Sequence, residues 1–180
     1  MAYKALILDL DGTLVESLPG IEYSANAALA AHGYPTHDTA SIRSFIGDGS
    51  WMLLRRAVKN VEDSTIDEIN KSFKESYAAS WSNGTDIFAG ILELLQRCQD
   101  EAVKLAILSN KPHAFTTEIV STLFTHITFD CVMGQQEGIT QKPAPDGTLI
   151  CLEQLNIPKE EVLFIGDSTS GSYIFLDLTK

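Results

Sequence analysis

The sequence predicts an α/β protein: a doubly wound parallel sheet interrupted by an all-helical insertion. Short apolar runs recur at 3–10, 103–108, 129–133 and 162–165, separated by stretches of helical period. That alternation builds parallel βαβ units. Polar residues fall directly after three of the runs, where open α/β sheets place their sites. From Ser17 to Trp81 the period is helical throughout, and no strand-like run appears.

Each element has a local reason. Tyr3–Leu10 (YKALILDL) is a continuous apolar run ending in acidic residues and Gly12, the signature of a strand buried on both faces. In the insertion, Ile21, Ala25, Ala28 and Leu29 share one helical face, and Gly33 is a helix stop. Further helices are expected around 42–45, 51–58 and 66–80. Asn83-Gly84 marks a turn, and Ile91, Leu94, Leu95 and Cys98 form the next stripe. Val103–Leu108 is strand-like and Ser109-Asn110-Lys111-Pro112 ends it. A helix then starts at Pro112, which suits a first helical turn, and runs to about Phe124. Phe129–Met133 is a short strand, 134–145 a loop, 146–155 a helix, and Val162–Ile165 a strand closed by Gly166-Asp167. The expected organisation is a core of 1–16 and 82–180 with a helical insertion of 17–81.

Composition narrows the function classes. With 13 Lys+Arg against 24 Asp+Glu the net charge is −11, which argues against nucleic acid or an anionic membrane surface as partner. An anionic substrate would need local positive charge or a metal. The chain is 180 residues long with 44% apolar and 21% charged residues, enough for a hydrophobic core without staples. No run reaches membrane-spanning length and no secretory signal pattern opens the chain. Cys98, Cys131 and Cys151 have neither disulfide-framework nor metal-site spacing, so reduced thiols and a cytoplasmic location are expected.

The strand ends carry the chemistry. Asp9 and Asp11 place two carboxylates at spacing two beyond an apolar strand, a costly arrangement unless a cation compensates. Mg²⁺ takes oxygen ligands of this kind together with substrate phosphate, and Asp167 at a further strand end could complete such a site. Lys142 lies in a proline-flanked loop that would hold its ammonium in place. Ser109 and Asn110 read equally well as a helix cap or as phosphate ligands, since both uses share one geometry. His32, His37, His113 and His126 have no metal-ligand spacing, and Trp51 and Trp81 read as packing residues.

In chain order, Asp9–Thr13 (DLDGT), the strand ending in Ser109-Asn110, the KPAP segment from Lys142, and Phe164-Ile165-Gly166-Asp167 resemble the four motifs of the haloacid dehalogenase superfamily. The likeness extends to about Ser170. Ile46-Gly47-Asp48-Gly49 followed by Leu53, Leu54, Arg56 and Ala57, with Val132-Met133-Gly134, is similar to its phosphoglycolate phosphatase branch. The resemblance implies a helical cap over 17–81 and hydrolysis of a small phosphorylated metabolite such as 2-phosphoglycolate. In it Asp9 is the nucleophile and Asp11 the general acid and base. Ser109, Asn110 and Lys142 hold the phosphate. Mg²⁺ sits on Asp9, the Asp11 carbonyl and Asp167, and Gly47, Gly49 and Arg56 belong to the cap's specificity surface. A sugar-phosphate phosphatase or a phosphomutase is the alternative within the superfamily. The chain departs from the pattern at Gly166, Gly171 and Ser172, where an acidic residue is usual, and 171–180 stand where the family has a further helix, a fifth strand and a last helix. The expectation is a core incomplete at its C-terminus, with the apolar run 173–176 seeking a partner. A weakly active or non-catalytic relative that binds metal or phosphate is the corresponding second reading.

Overall fold

The structure is a computed structural model and describes residues 3–167. In chain order its elements are β1 (Ala5–Leu8), β2 (Val15–Glu16), α1 (Leu18–Ala31), α2 (Thr39–Phe45), α3 (Gly49–Ala57), α4 (Asp63–Ser80), β3 (Asp86–Ile87), α5 (Ile91–Asp100), β4 (Lys104–Pro112), α6 (His113–Leu123), β5 (Cys131–Gln135), α7 (Asp146–Leu155) and β6 (Val162–Ile165). A 3-10 turn, Lys159–Glu161, precedes β6. The described chain divides into two compact units. One runs to Val15 and resumes at Ile87, and the other is Glu16–Asp86. The expectations placed on 171–180 lie outside the described residues.

The first unit is the α/β core. Its sheet is parallel and ordered β5-β4-β1-β6, with Leu6 opposite Leu105 on one side and Leu163 on the other. All four β1 residues are buried, as a continuous apolar run in a covered parallel sheet requires. Counting only the strands of this sheet in chain order, the arrangement is third, second, first, fourth. The chain winds outward from β1 and then returns to its other side, so β1 lies at the topological switch point, where such sheets form their crevice. Ala5, Ile7, Ala106, Leu108, Cys131, Met133, Cys151, Leu155 and Val162 form one packed core cluster. The three thiols are free, and Cys131 and Cys151, distant in sequence, meet within it with sulfurs 3.5 Å apart.

The second unit contains α1 to α4. Ile21, Ala25, Ala28 and Leu29 are buried on α1 as their spacing predicts, and Gly33 follows the helix at φ +76°. On α4, Ile66, Ile69, Phe73 and Tyr77 are buried, with the Phe73 and Tyr77 rings stacked at 5.6 Å. Trp81 is buried, and Trp51 donates its indole N–H to Asp67 at 2.8 Å. The two-residue strands β2 and β3 pair where the chain passes between the units; they are too short for a periodic signal. No helix among the described residues is long and apolar enough to cross a membrane.

The boundaries of β5 and β4 differ from expectation in ways that bear on the site. β5 begins at Cys131, two residues late, because Asp130 bonds Leu105 through both its amide and its carboxylate before the ladder starts, and it takes in Gly134 and Gln135, where the sequence predicts the opening of a loop. Residues 109–112 do not end their strand: β4 continues through Pro112, with an irregularity after Leu108. Gly134 on β5 is fixed by crowding, since a Cβ there would lie 2.7 Å from both the His113 Cα and the Lys111 carbonyl oxygen. Backbone cannot yield as a side-chain tip can, so Gly134→Ala is expected to lower stability by about 1–3 kcal/mol. Urea unfolding measures this, and an unchanged midpoint would remove crowding as the reason for glycine.

Candidate active site

The site residues of the core converge on the carboxyl ends of β1, β4 and β6. Asp9 follows β1 directly. Its amide donates to the Ile165 carbonyl at 2.9 Å, which extends the β1–β6 pairing into the motif. Its side chain is buried. Oδ1 accepts from the Leu10 amide at 2.8 Å, and Oδ2 lies 2.8 Å from the Lys142 ammonium. Lys142 is 5% exposed; Nζ also donates to the Leu108 carbonyl at 2.8 Å and stands 5.4 Å from the centre of the Phe164 ring. A charge this deep needs several partners, and Lys142 has them.

Asn110 explains how the loop carrying Lys142 is held. Its amide nitrogen donates to the Lys142 carbonyl at 3.0 Å, and its amide oxygen accepts from the Lys142 amide at 2.8 Å. This two-way clasp fixes the lysine backbone from the neighbouring strand, and the Lys142–Pro143 peptide is cis. Ser109 is buried, and its hydroxyl accepts from the Lys111 amide at 3.2 Å. Neither Ser109 nor Asn110 caps a helix, because α6 starts at His113 with Pro112 before it. The capping alternative therefore falls. His113 accepts from the Gly134 amide through Nδ1 at 3.2 Å, which ties the start of α6 to β5.

Asp167 arrives from β6. Its amide donates to the Thr13 hydroxyl at 3.1 Å, and its carboxylate lies against Gly12, where a Cβ would come within 2.8 Å of the carboxylate carbon. Gly12, at φ +78°, is thus required twice, by its backbone and by its neighbour. At Gly166 a Cβ would stand 3.4 Å from the Asp9 Cβ, so the ends of β1 and β6 are in close apposition. Thr13 and Lys111 are absent from the sequence-derived site. Thr13 had no signal beyond its motif, whereas Lys111 stood beside Asn110 and was read as part of a strand terminus. The structure buries Lys111 and sets its ammonium 3.1 Å from Asp11 Oδ2.

In the second unit, Gly47 and Gly49 adopt φ +126° and +81°, so both positions favour glycine on backbone grounds alone. Arg56 donates to the Phe45 carbonyl at 2.8 Å and pairs with Asp48, spanning the segment between α2 and α3.

Burial is the largest influence on Asp9 and pushes its carboxyl above the usual aspartate range. The Lys142 charge and its hydrogen bond pull the other way, as does the Leu10 amide, and Asp11 adds to the upward push. Among the described residues no three His, Cys, Asp or Glu side chains gather into a metal cluster. The implied donors are instead two carboxylates and a backbone carbonyl. An all-oxygen set of this kind fits a hard divalent cation.

The family model for haloacid dehalogenase-like hydrolases matches residues 6–173. The chain belongs to this family of hydrolases. It is 30% identical over 171 residues to a phosphoglycolate phosphatase of Pectobacterium atrosepticum, covering 93% of this chain and 73% of that protein. It is 31% identical to a phosphoglycolate phosphatase of Pseudomonas syringae pv. tomato, over 93% of this chain and 63% of that one. A crystal structure from Lactobacillus delbrueckii subsp. bulgaricus, named as a candidate phosphoglycolate phosphatase, superposes with TM-score 0.90 at 28% identity. It covers 98% of this chain and 83% of the other. The parallel sheet with flanking helices is accordingly the Rossmann-like core of this family.

Because Asp9 holds its proton more tightly folded than unfolded, its ionisation works against folding. Its contribution is most favourable below the ordinary aspartate value of 3.8 and declines as pH rises through the raised folded value. Lys142→Met removes the opposing charge and strands a buried carboxylate. The variant is expected to lose about 3–5 kcal/mol near neutral pH and less in acid, with Asp9→Asn in the same chain recovering most of the neutral-pH deficit. Urea unfolding between pH 4 and 8 in chelator checks this; a deficit independent of pH would contradict the pairing.

Proposed function

We propose that this chain is a Mg²⁺-dependent phosphomonoester hydrolase acting on a small phosphorylated metabolite, with 2-phosphoglycolate the first substrate to test. The observation that carries this reading is Asp9. It is a buried carboxylate beyond the central strand, paired to an ammonium at 2.8 Å and set at the topological switch point of a parallel sheet.

A carboxylate needs no activating base to act as nucleophile. Asp9 attacks phosphorus and forms an aspartyl phosphate, which water then hydrolyses. Lys142 draws in the dianion and balances charge on Asp9 and on the transferring oxygens. The Ser109 hydroxyl hydrogen-bonds a phosphoryl oxygen. Asp11 gives its proton to the leaving oxygen in the first step and takes one from water in the second. Asp9, the Asp11 carbonyl and Asp167 would hold Mg²⁺, which supplies charge neutralisation between nucleophile and phosphate. The Asn110 clasp on Lys142 preorganises the phosphate cation, which is how its side chain serves phosphate binding here. The 17–81 segment acts as the cap, with Gly47, Gly49 and Arg56 in the part that selects the substrate. The free thiols suit a reducing compartment, and the cytoplasm is the proposed location.

Phosphate release from p-nitrophenyl phosphate is expected with Mg²⁺, and loss of it with chelator or in Asp9→Asn. Equal turnover by the Asn variant would end the assignment. A panel of 2-phosphoglycolate and sugar phosphates then ranks the substrates by kcat/KM.

A further inference from the structure

We propose that Lys111 is a positioning residue that orients the Asp11 carboxylate for acid–base work, a role that rests on the phosphatase reading of the same site. Lys111 Nζ lies 3.1 Å from Asp11 Oδ2, and the two side chains are only 6% and 17% exposed. A buried ion pair is poor support for stability, since desolvation offsets most of its attraction, and an apolar pair of similar volume commonly folds as well or better. Its presence at a strand end beside the nucleophile therefore points to function.

The backbone is shaped to deliver this lysine. Between the pairings Leu108 with Met133 and Pro112 with Gln135, β4 advances four residues while β5 advances two. Irregularities of this kind re-aim side chains beside sites. β4 is an interior strand buried from Leu105 through Lys111, so beyond the irregularity the polar Ser109, Asn110 and Lys111 stay as enclosed as the apolar residues before them. Their tasks divide: Asn110 holds the Lys142 backbone, the Ser109 hydroxyl accepts from the Lys111 amide, and the Lys111 ammonium reaches Asp11. Lys142 is engaged with Asp9 and the Leu108 carbonyl, so the ammonium on Asp11 is a second, separate charge.

The benefit falls in the step that cleaves the ester. As the Asp9 oxygen bonds to phosphorus, the bond from phosphorus to the leaving oxygen breaks, and its electron pair stays on that oxygen. The proton of Asp11 passes to it, and Asp11 becomes a carboxylate. Lys111 is fixed where that negative charge develops, and it pins one carboxylate oxygen so that the group keeps a single orientation. An alkyl leaving group needs this proton far more than p-nitrophenolate, which departs as a stable anion.

The test is the leaving-group dependence of Lys111→Met. With Mg²⁺, its kcat on the alkyl esters 2-phosphoglycolate and β-glycerophosphate is expected to fall about 10- to 100-fold further than on p-nitrophenyl phosphate, less than the roughly 10²–10⁴-fold a positioned acid itself contributes, because Asp11 is still present. Asp11→Asn should show the same pattern more strongly, the double variant should lose little more than Asp11→Asn alone, and Lys111→Arg should recover part of the alkyl activity. Lys111→Gln serves as a second variant where the methionine chain does not fold. Equal losses on aryl and alkyl esters, or losses that multiply with those of Asp11→Asn, would overturn the role while leaving an Asp9-dependent phosphatase intact. A wild-type chain with no Asp9-dependent turnover of any ester would remove the phosphatase reading and this role with it.

Discussion

The buried pair of Asp9 and Lys142 is the constraint to which the surrounding structure answers. A carboxylate at the end of an apolar strand, within a covered sheet, is tolerable only with a fixed counter-charge. Fixing that charge requires the Asn110 clasp on the lysine backbone, and the clasp in turn requires β4 to run past Leu108 with its side chains redirected. The Leu108 carbonyl then becomes a second partner for the ammonium. Each of these features is an oddity alone; together they are what it takes to keep one carboxylate ionisable where water is scarce.

Topology decides why the pair sits where it does. Since β1 has β4 on one side and β6 on the other, residues beyond its end are approached from both neighbouring strands. β4 brings Ser109, Asn110 and Lys111, while β6 brings Gly166 and Asp167. The absence of a side chain at Gly12 and at Gly166 permits this approach: one leaves room for the Asp167 carboxylate, and the other lies against Asp9. The same crowding on the β5 side makes Gly134 necessary, because the redirected end of β4 and the start of α6 press on it.

The fold was legible wherever a period could express itself. Four uninterrupted apolar residues in β1 and the spaced stripe of α1 were read correctly, because burial on two faces or on one face leaves different patterns. The irregular end of β4 left no such trace. Ser, Asn and Pro are common turn residues, and only long-range partners, Gln135 on β5 opposite Pro112 and the Lys142 backbone against Asn110, keep this stretch within a strand. Lys111 leaves no trace for the same reason: a lysine in a polar tetrapeptide looks solvated until the fold supplies a buried carboxylate. Asp9, Asp11, Ser109, Lys142 and Asp167 stand out in the sequence as candidates because they sit in the motifs, most of them at strand ends. Ion-pair partners cannot be read that way, since which ammonium meets which carboxylate is settled by loop geometry.

Charge balance links these local features to the whole chain. With Asp9, Asp11 and Asp167 all ionised, the two buried ammoniums of Lys111 and Lys142 leave the cluster at a formal 2 − 3 = −1, and with Asp11 carrying the proton it gives as acid the cluster is neutral. In a protein of net charge −11, neither form attracts a phosphate monoester. A bound divalent cation makes the cluster positive in both, so on the proposed function anion binding becomes conditional on the metal. Lysines alone could have made the site positive, but each added ammonium would bring its own desolvation cost and would compete for Asp9. On the proposed function, one ammonium each for Asp9 and Asp11, with the surplus supplied by an exchangeable ion, leaves these two carboxylates available as nucleophile and as acid. Burial raises the proton affinity of Asp9 and the Lys142 charge opposes that rise, so the same ammonium that neutralises the pair also favours the ionised form in which Asp9 would act.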